Sequence, residues 1–182
     1  MPPIGKSYSY NGGTCCLGRA DKGGVLRSRI HAAQRPIAIK NYDEDRANEV
    51  LSVLAANDTW QIPTLTLATN VTERPFAEAK YQESFKYLPE SVENQWKQNI
   101  KDFVNSREPT EFQLEYTTWF RNMVGKVHEA GIDIMAGTDC PIFFLTPGRS
   151  LHQELVVLVN AGLSPLEALK TATYNPARYF NM

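Results

Sequence analysis

Apolar and polar positions alternate with different periods in different parts of the chain, and the changes of period mark the elements. Asp43-Glu44-Asp45 opens a helix, because acids suit the positive end of a helix dipole and Asp43 can cap free amides. Val50, Leu51, Val53, Leu54 and Ala55 then form one apolar face that ends near Asn57-Asp58. From Trp60 to Leu67 the period falls to two, with Ile62, Thr64 and Thr66 on one face and Leu65 and Leu67 on the other, which predicts a short strand. Pro63 is tolerated only near the beginning of such a strand. Residues 74–108 read as polar helix in two pieces, with stripes at Phe76, Tyr81, Phe85 and Leu88 and at Trp96, Ile100, Phe103 and Val104. An excursion of this length after a strand end is where pocket walls commonly sit.

The segment from Thr110 to Ala130 carries the clearest helical pattern. Phe112, Tyr116, Trp119, Phe120, Met123 and Val127 make a core-facing stripe, His128 lies at the helix end, and Gly131 closes it. Ile132-Asp133-Ile134-Met135-Ala136-Gly137 reads as a second buried strand, running into Thr138-Asp139-Cys140-Pro141. Beyond Pro147-Gly148, Ser150 begins a helix bearing Leu151, Leu155, Val156, Leu158 and Val159. Ser164-Pro165-Leu166-Glu167 then starts another, with the serine and glutamate of a capping box. Helix, strand, helices, strand, helix is the order of βα units, so the pattern predicts an α/β fold with a parallel sheet.

Composition adds an asymmetry. The 182 residues carry a net charge of −1, but residues 1–40 hold seven basic residues against Asp21 alone, and six of the eleven glycines fall in the first 24 positions. A basic, glycine-rich leader over 1–40, poorly ordered, is expected ahead of a body at 41–182. His31, at its edge, has no second ligand nearby and reads as a bystander. The acidic remainder argues against nucleic acid as a partner. No apolar run approaches the roughly 18 residues of a membrane span. Three cysteines, Cys15, Cys16 and Cys140, are too few for a disulfide scaffold, and with no secretory signal pattern they point to the cytoplasm.

In parallel sheets, chemistry gathers at the carboxyl ends of the strands. The ionisable residue standing there is Asp139, and a carboxylate in that position can ligate a cation or take the proton of an attacking water. A Cys140–His152 nucleophilic pair is conceivable but has no supporting motif.

Ala136-Gly137-Thr138-Asp139, Ser150-Leu151-His152-Gln153-Glu154-Leu155, Ala161-Gly162-Leu163-Ser164-Pro165-Leu166-Glu167-Ala168-Leu169-Lys170 and Ala172-Thr173-Tyr174-Asn175-Pro176-Ala177-Arg178 together resemble the last barrel strand and following helices of the amidohydrolase superfamily. The nearest branch resembles the imidazolonepropionase- and prolidase-like hydrolases. Tyr42-Asp43-Glu44-Asp45 and Thr59-Trp60-Gln61-Ile62-Pro63-Thr64-Leu65 are similar to the preceding helix and strand of that group. The resemblance covers roughly residues 36–180. It implies a partial (β/α) barrel of the TIM type, made of the last two βα units and a helical insertion. It also implies a metal-dependent hydrolase of C–N bonds acting on a small-molecule substrate. Asp139 would serve as metal ligand and catalytic carboxylate, and His152 and Thr138 would shape or orient the pocket. The sequence departs from the family in having no His-x-His pair, and a full barrel takes about 250 residues. The expectation is therefore a C-terminal part of such an enzyme. It does not retain the family's divalent metal, zinc for preference, and is inactive alone. The alternative is a non-catalytic subunit that associates through its helices and unpaired strand edges.

Overall fold

The computed structural model describes residues 34–106 and 108–182. Helix α1 spans 34–40, the last part of the stretch read as leader. The rest of that leader, with Cys15, Cys16 and His31, lies outside the described residues. The remaining helices are α2 (Glu44–Ala56), α3 (Leu65–Glu73), α4 (Ala79–Gln82), α5 (Glu90–Ser106), α6 (Glu111–Glu129), α7 (Arg149–Asn160), α8 (Pro165–Thr171) and α9 (Tyr174–Tyr179).

The local signals for helix starts hold at α2 and α8, whereas α7 begins at Arg149 with no side-chain cap and Ser150 lies within its first turn. Asp43 caps α2, its Oδ1 accepting from the Arg46 N–H at 2.9 Å. Ser164 and Glu167 close a reciprocal capping box at the start of α8. Thr110 and Gln113 form another at α6, which the aromatic stripe overshadowed in the sequence.

The expected sheet does not form. Among the described residues there is no strand, only one parallel bridge between Gln61 and Ile134. The Gln61 N–H donates to Asp133 O and the Met135 N–H donates to Gln61 O, both at 2.9 Å. The α/β, partial TIM-barrel reading is therefore corrected to a helical one, and each segment shows why pairing stops. On one side, Thr64 turns into left-handed backbone at φ 54° and Leu65 begins a helix, so Leu65 and Leu67 are helical rather than strand residues. On the other side, the outer edge of Ile132–Ala136 is already occupied. The Ile134 carbonyl accepts from Asn175 Nδ2 at 2.8 Å, and the Ala136 N–H donates to Thr171 O at 2.9 Å. The bare strand edges invoked for self-association are thus absent on that side.

The Asn175-Pro176-Ala177-Arg178 segment works as a clamp on this bridge. Arg178 pairs with Asp133 and lies 4.7 Å over the Trp60 ring, while Tyr179 meets Trp60 edge-on at 5.3 Å. Close approach rather than turning explains Gly137. A Cβ there would come within 2.4 Å of Ile62 Cγ2.

Two apolar clusters hold the helices. The first joins Leu65, Phe120, Val124, Ile134, Val157, Leu158, Leu163 and Ala168, from α3, α6, the bridge, α7 and α8. The second is aromatic: Phe76, Tyr81, Phe85 and Ile100, with Trp96, Phe103, Phe143 and Phe144 packed against them. Both stripes read from residues 74–108 are therefore core, and the turn after Pro141 inserts two phenylalanines between them. Within the α6 stripe, Phe120 is buried in the core, and with Trp119, Met123 and Val127 it forms the floor and wall of an open apolar groove of about 410 Å³ against α2.

Leu158 is 0% exposed at the centre of the first cluster. Leu158→Ala removes buried area and leaves a cavity, so urea unfolding should show a loss of about 2–5 kcal/mol with an unchanged m-value. A loss below about 1 kcal/mol would mean that this cluster is not the stabilising core.

Candidate functional site

The segment after the bridge reaches α7 through one hydroxyl. Thr138 Oγ1 accepts from the Cys140 N–H at 3.3 Å and lies 3.2 Å from Ser150 Oγ, tying the Gly137–Cys140 corner to the first turn of α7. Between these anchors Asp139 is half-buried and takes left-handed backbone at φ 54°, which disfavours any residue with a Cβ and marks an enforced conformation. Its carbonyl accepts from the Ile142 N–H at 3.0 Å, closing the turn.

Next to it sits a carboxyl group that sequence reasoning passed over. Glu154 is 0% exposed. Its Oε1 accepts from the Leu65 N–H at 3.0 Å, and its Oε2 accepts from the Thr66 N–H at 2.7 Å and from the Thr66 hydroxyl. Thr64, the residue before α3, caps nothing with its side chain, so Glu154 supplies the acceptors that free helix amides require. Burial pushes the Glu154 carboxyl above its ordinary value. The three donors act against that rise, and the negative charge of Asp139 adds to it. The signal was present in the sequence: Glu154 follows Ser150 by four and precedes Val157 and Leu158 by three and four, so it shares the face that is buried.

The structure therefore brings Thr138, Asp139, Cys140, Ser150 and Glu154 to one corner. It does not bring His152 there. His152 is exposed, and two residues past Ser150 it is turned by about 200° from it around the helix, onto the opposite face of α7. Cys140 gains nothing toward a nucleophile either. Burial raises its thiol above the ordinary range, and its partner is Ser150 rather than a histidine. His128 lies in the last turn of α6 with Nε2 at 3.5 Å from Glu167 Oε1.

A zinc-type site takes three or four protein ligands. Among the described residues no group of three or more His, Cys, Asp or Glu side chains, Asp139, Cys140 and Glu154 included, is arranged so that it could hold a metal ion. Both Glu154 oxygens are committed to α3, which leaves Asp139 without a metal-binding group around it among the described residues. The donor set does not fit the metal that the sequence resemblance implied. Among the described residues, too, no helix is long and apolar enough to cross a membrane.

Comparison with family models matches residues 89–182 to the one described as "Amidohydrolase family". The matched stretch takes in all of α5 to α9 and the Gly137–Cys140 corner. Comparisons with curated proteins and with solved structures gave no match.

The raised Glu154 carboxyl sets a pH dependence. A group whose folded value lies above its unfolded one favours folding at low pH, and that contribution is lost as pH rises from the ordinary glutamate value of 4.5 toward the raised one. Glu154→Gln removes this titration while keeping one acceptor, at a cost of about 1–3 kcal/mol from the unmatched donors. Urea midpoints measured from pH 4.5 upward should therefore fall more steeply in the parent chain than in Glu154→Gln. A parent chain that gains stability relative to the variant over that range would contradict the assignment.

Proposed function

Since the chain belongs to the amidohydrolase family, we propose that its chemistry is that of a metal-dependent hydrolase of C–N bonds in the imidazolonepropionase- and prolidase-like branch, with Asp139 as its active-site carboxylate. The family is generally metal-dependent. Our reading gives this chain one ligand of such a centre and assigns the remainder elsewhere, so the polypeptide by itself does not turn over substrate. The observation that carries this reading is the commitment of Glu154 to the α3 amides beside an Asp139 with no further ligand residues grouped around it among the described residues. In the complete site, Asp139 would stand where a carboxylate can hold the proton of a hydrolytic water, with Thr138 and Ser150 fixing its turn. His152, on the far side of α7, contributes nothing to that corner in this reading. The absence of a disulfide framework fits a reducing, cytoplasmic setting.

A second reading, a non-catalytic member of the family, draws on the same commitment of Glu154. Metal content separates the two. Purified chain supplied with zinc, cobalt or manganese and offered dipeptides and lactams should hold well under one ion per chain, that fraction disappearing in Asp139→Ala, and give no turnover. Turnover that Asp139→Ala abolishes would overturn the inactive-alone reading and sustain the hydrolytic one. Stoichiometric metal lost in Asp139→Ala without turnover would support the hydrolytic lineage, whereas metal-free chain in which Asp139→Ala changes nothing measurable would leave the non-catalytic reading standing.

A further inference from the structure

A cavity of about 320 Å³ lies between α3 and α6, with Arg35 of α1 in its wall. Leu67 and Val71 line it from α3, and Phe112, Tyr116 and Phe120 line it from α6. Both sets repeat every four residues, so each helix presents one apolar face to the same hollow. The three rings form a row, with neighbours 6.1 and 5.9 Å apart. Leu67, Val71, Phe112 and Tyr116 are only half-buried, so the hollow is reached from solvent.

One charged side chain lines this space. Arg35 holds its guanidinium carbon 4.9 Å over the Tyr116 ring, and no carboxylate stands among the lining residues. Arg74, Arg121 and Arg178 meet Glu108, Glu73 and Asp133, whereas no ion pair engages Arg35 among the described residues. A guanidinium stacked on a ring uses its face and keeps its in-plane N–H fork for a planar acceptor. The remaining polar lining points the same way. Gln113 commits Oε1 to the Thr110 N–H at 2.8 Å, which leaves its side-chain NH2 to donate. The Thr117 hydroxyl donates to the Gln113 carbonyl at 2.9 Å, and the Thr64 hydroxyl donates to the Ile62 carbonyl at 3.4 Å. The wall therefore offers donors and a positive charge to whatever enters.

We propose that this cavity binds a small monocarboxylate with a ring-sized apolar body, the body between α3 and α6 and the carboxylate on Arg35. A carboxylate brings only acceptors and a compensating charge. An amide brings an acceptor without the charge, and an ammonium brings neither. The volume equals that of about ten waters in the liquid, which suits one ring and a short acid. A helix about 10–12 Å across does not fit, so neither a second copy nor a partner's helix is the occupant. The proposal concerns binding and is read without turnover, so it stands or falls independently of Asp139.

The test is titration of the full chain with phenylacetate, and in parallel with phenylacetamide and phenethylammonium, followed by NMR shifts of the Phe112 and Tyr116 ring signals. Phenylacetate should saturate with a Kd of about a millimolar or lower. The other two probes should bind at least about tenfold more weakly, the loss of one charge-assisted pairing. Arg35→Gln should weaken phenylacetate by the same factor while circular dichroism stays unchanged, and Val71→Trp should abolish binding by filling the hollow. Should Val71→Trp fail to fold, Arg35→Gln and the selectivity among the probes decide the matter. No saturation below about ten millimolar, phenylacetamide binding as tightly as phenylacetate, or unchanged phenylacetate affinity in folded Arg35→Gln would overturn the proposal. So would a dimer, seen by sedimentation, that phenylacetate converts to monomer, because the cavity would then belong to a second copy.

Discussion

A carboxyl group on α7 does what no residue next to α3 can do, which is to receive the amides at that helix's beginning. Glu154 reaches Leu65 and Thr66 across nearly ninety positions of sequence and is sealed from solvent there. Such a contact is worth making only if both oxygens find donors, since a buried carboxyl left unmet costs several kcal/mol. Three donors meet it. The start of α3, the inward face of α7 and the corner at Asp139 are therefore one mechanical unit.

Much of the rest follows from that unit. Because Glu154 fixes Leu65 as the first helical residue, the extended stretch from Trp60 ends within a few residues, and the bridge to Ile134 has no room to grow into a ladder. Asn175 and Thr171 occupy the other edge, so the helices at the C-terminal end seal what a neighbouring strand would otherwise occupy. The same α7 turn that carries Ser150 toward Thr138 carries Arg149 toward Tyr81. One helix end thus faces both the Asp139 corner and the aromatic cluster.

Sequence reasoning reached the helices through local chemistry and lost the sheet through long-range chemistry. Asp43, Ser164 and Glu167 announce helix starts because their partners lie three residues away. The aromatic stripe of α5 is legible because helical periodicity is a local property, whereas in the stripe before it only Tyr81 lies in α4 and Phe76 and Phe85 stand in short 3-10 turns. The stretch from Ile62 to Leu67, by contrast, alternates as a strand does, and the acceptor that turns it into a helix lies on a different element. At the site, Asp139 and Thr138 were visible from the Gly-Thr-Asp wording, whereas His152 entered through the family resemblance although its helical phase directs it outward. Glu154 was overlooked for the converse reason: a glutamate in phase with Val157 and Leu158 reads as an interruption of the apolar face rather than as its centre.

Hydrogen exchange at two backbone positions tests the central contact most directly. With Glu154 in place, the Leu65 and Thr66 amides should exchange only through global unfolding, as slowly as those of the central turns of α6. Replacing Glu154 by leucine should release both to fast, local exchange while the α6 interior stays protected. Rapid exchange of Leu65 and Thr66 in the parent chain, or equal protection in the leucine variant, would contradict the account of a helix held at its start by a distant carboxyl.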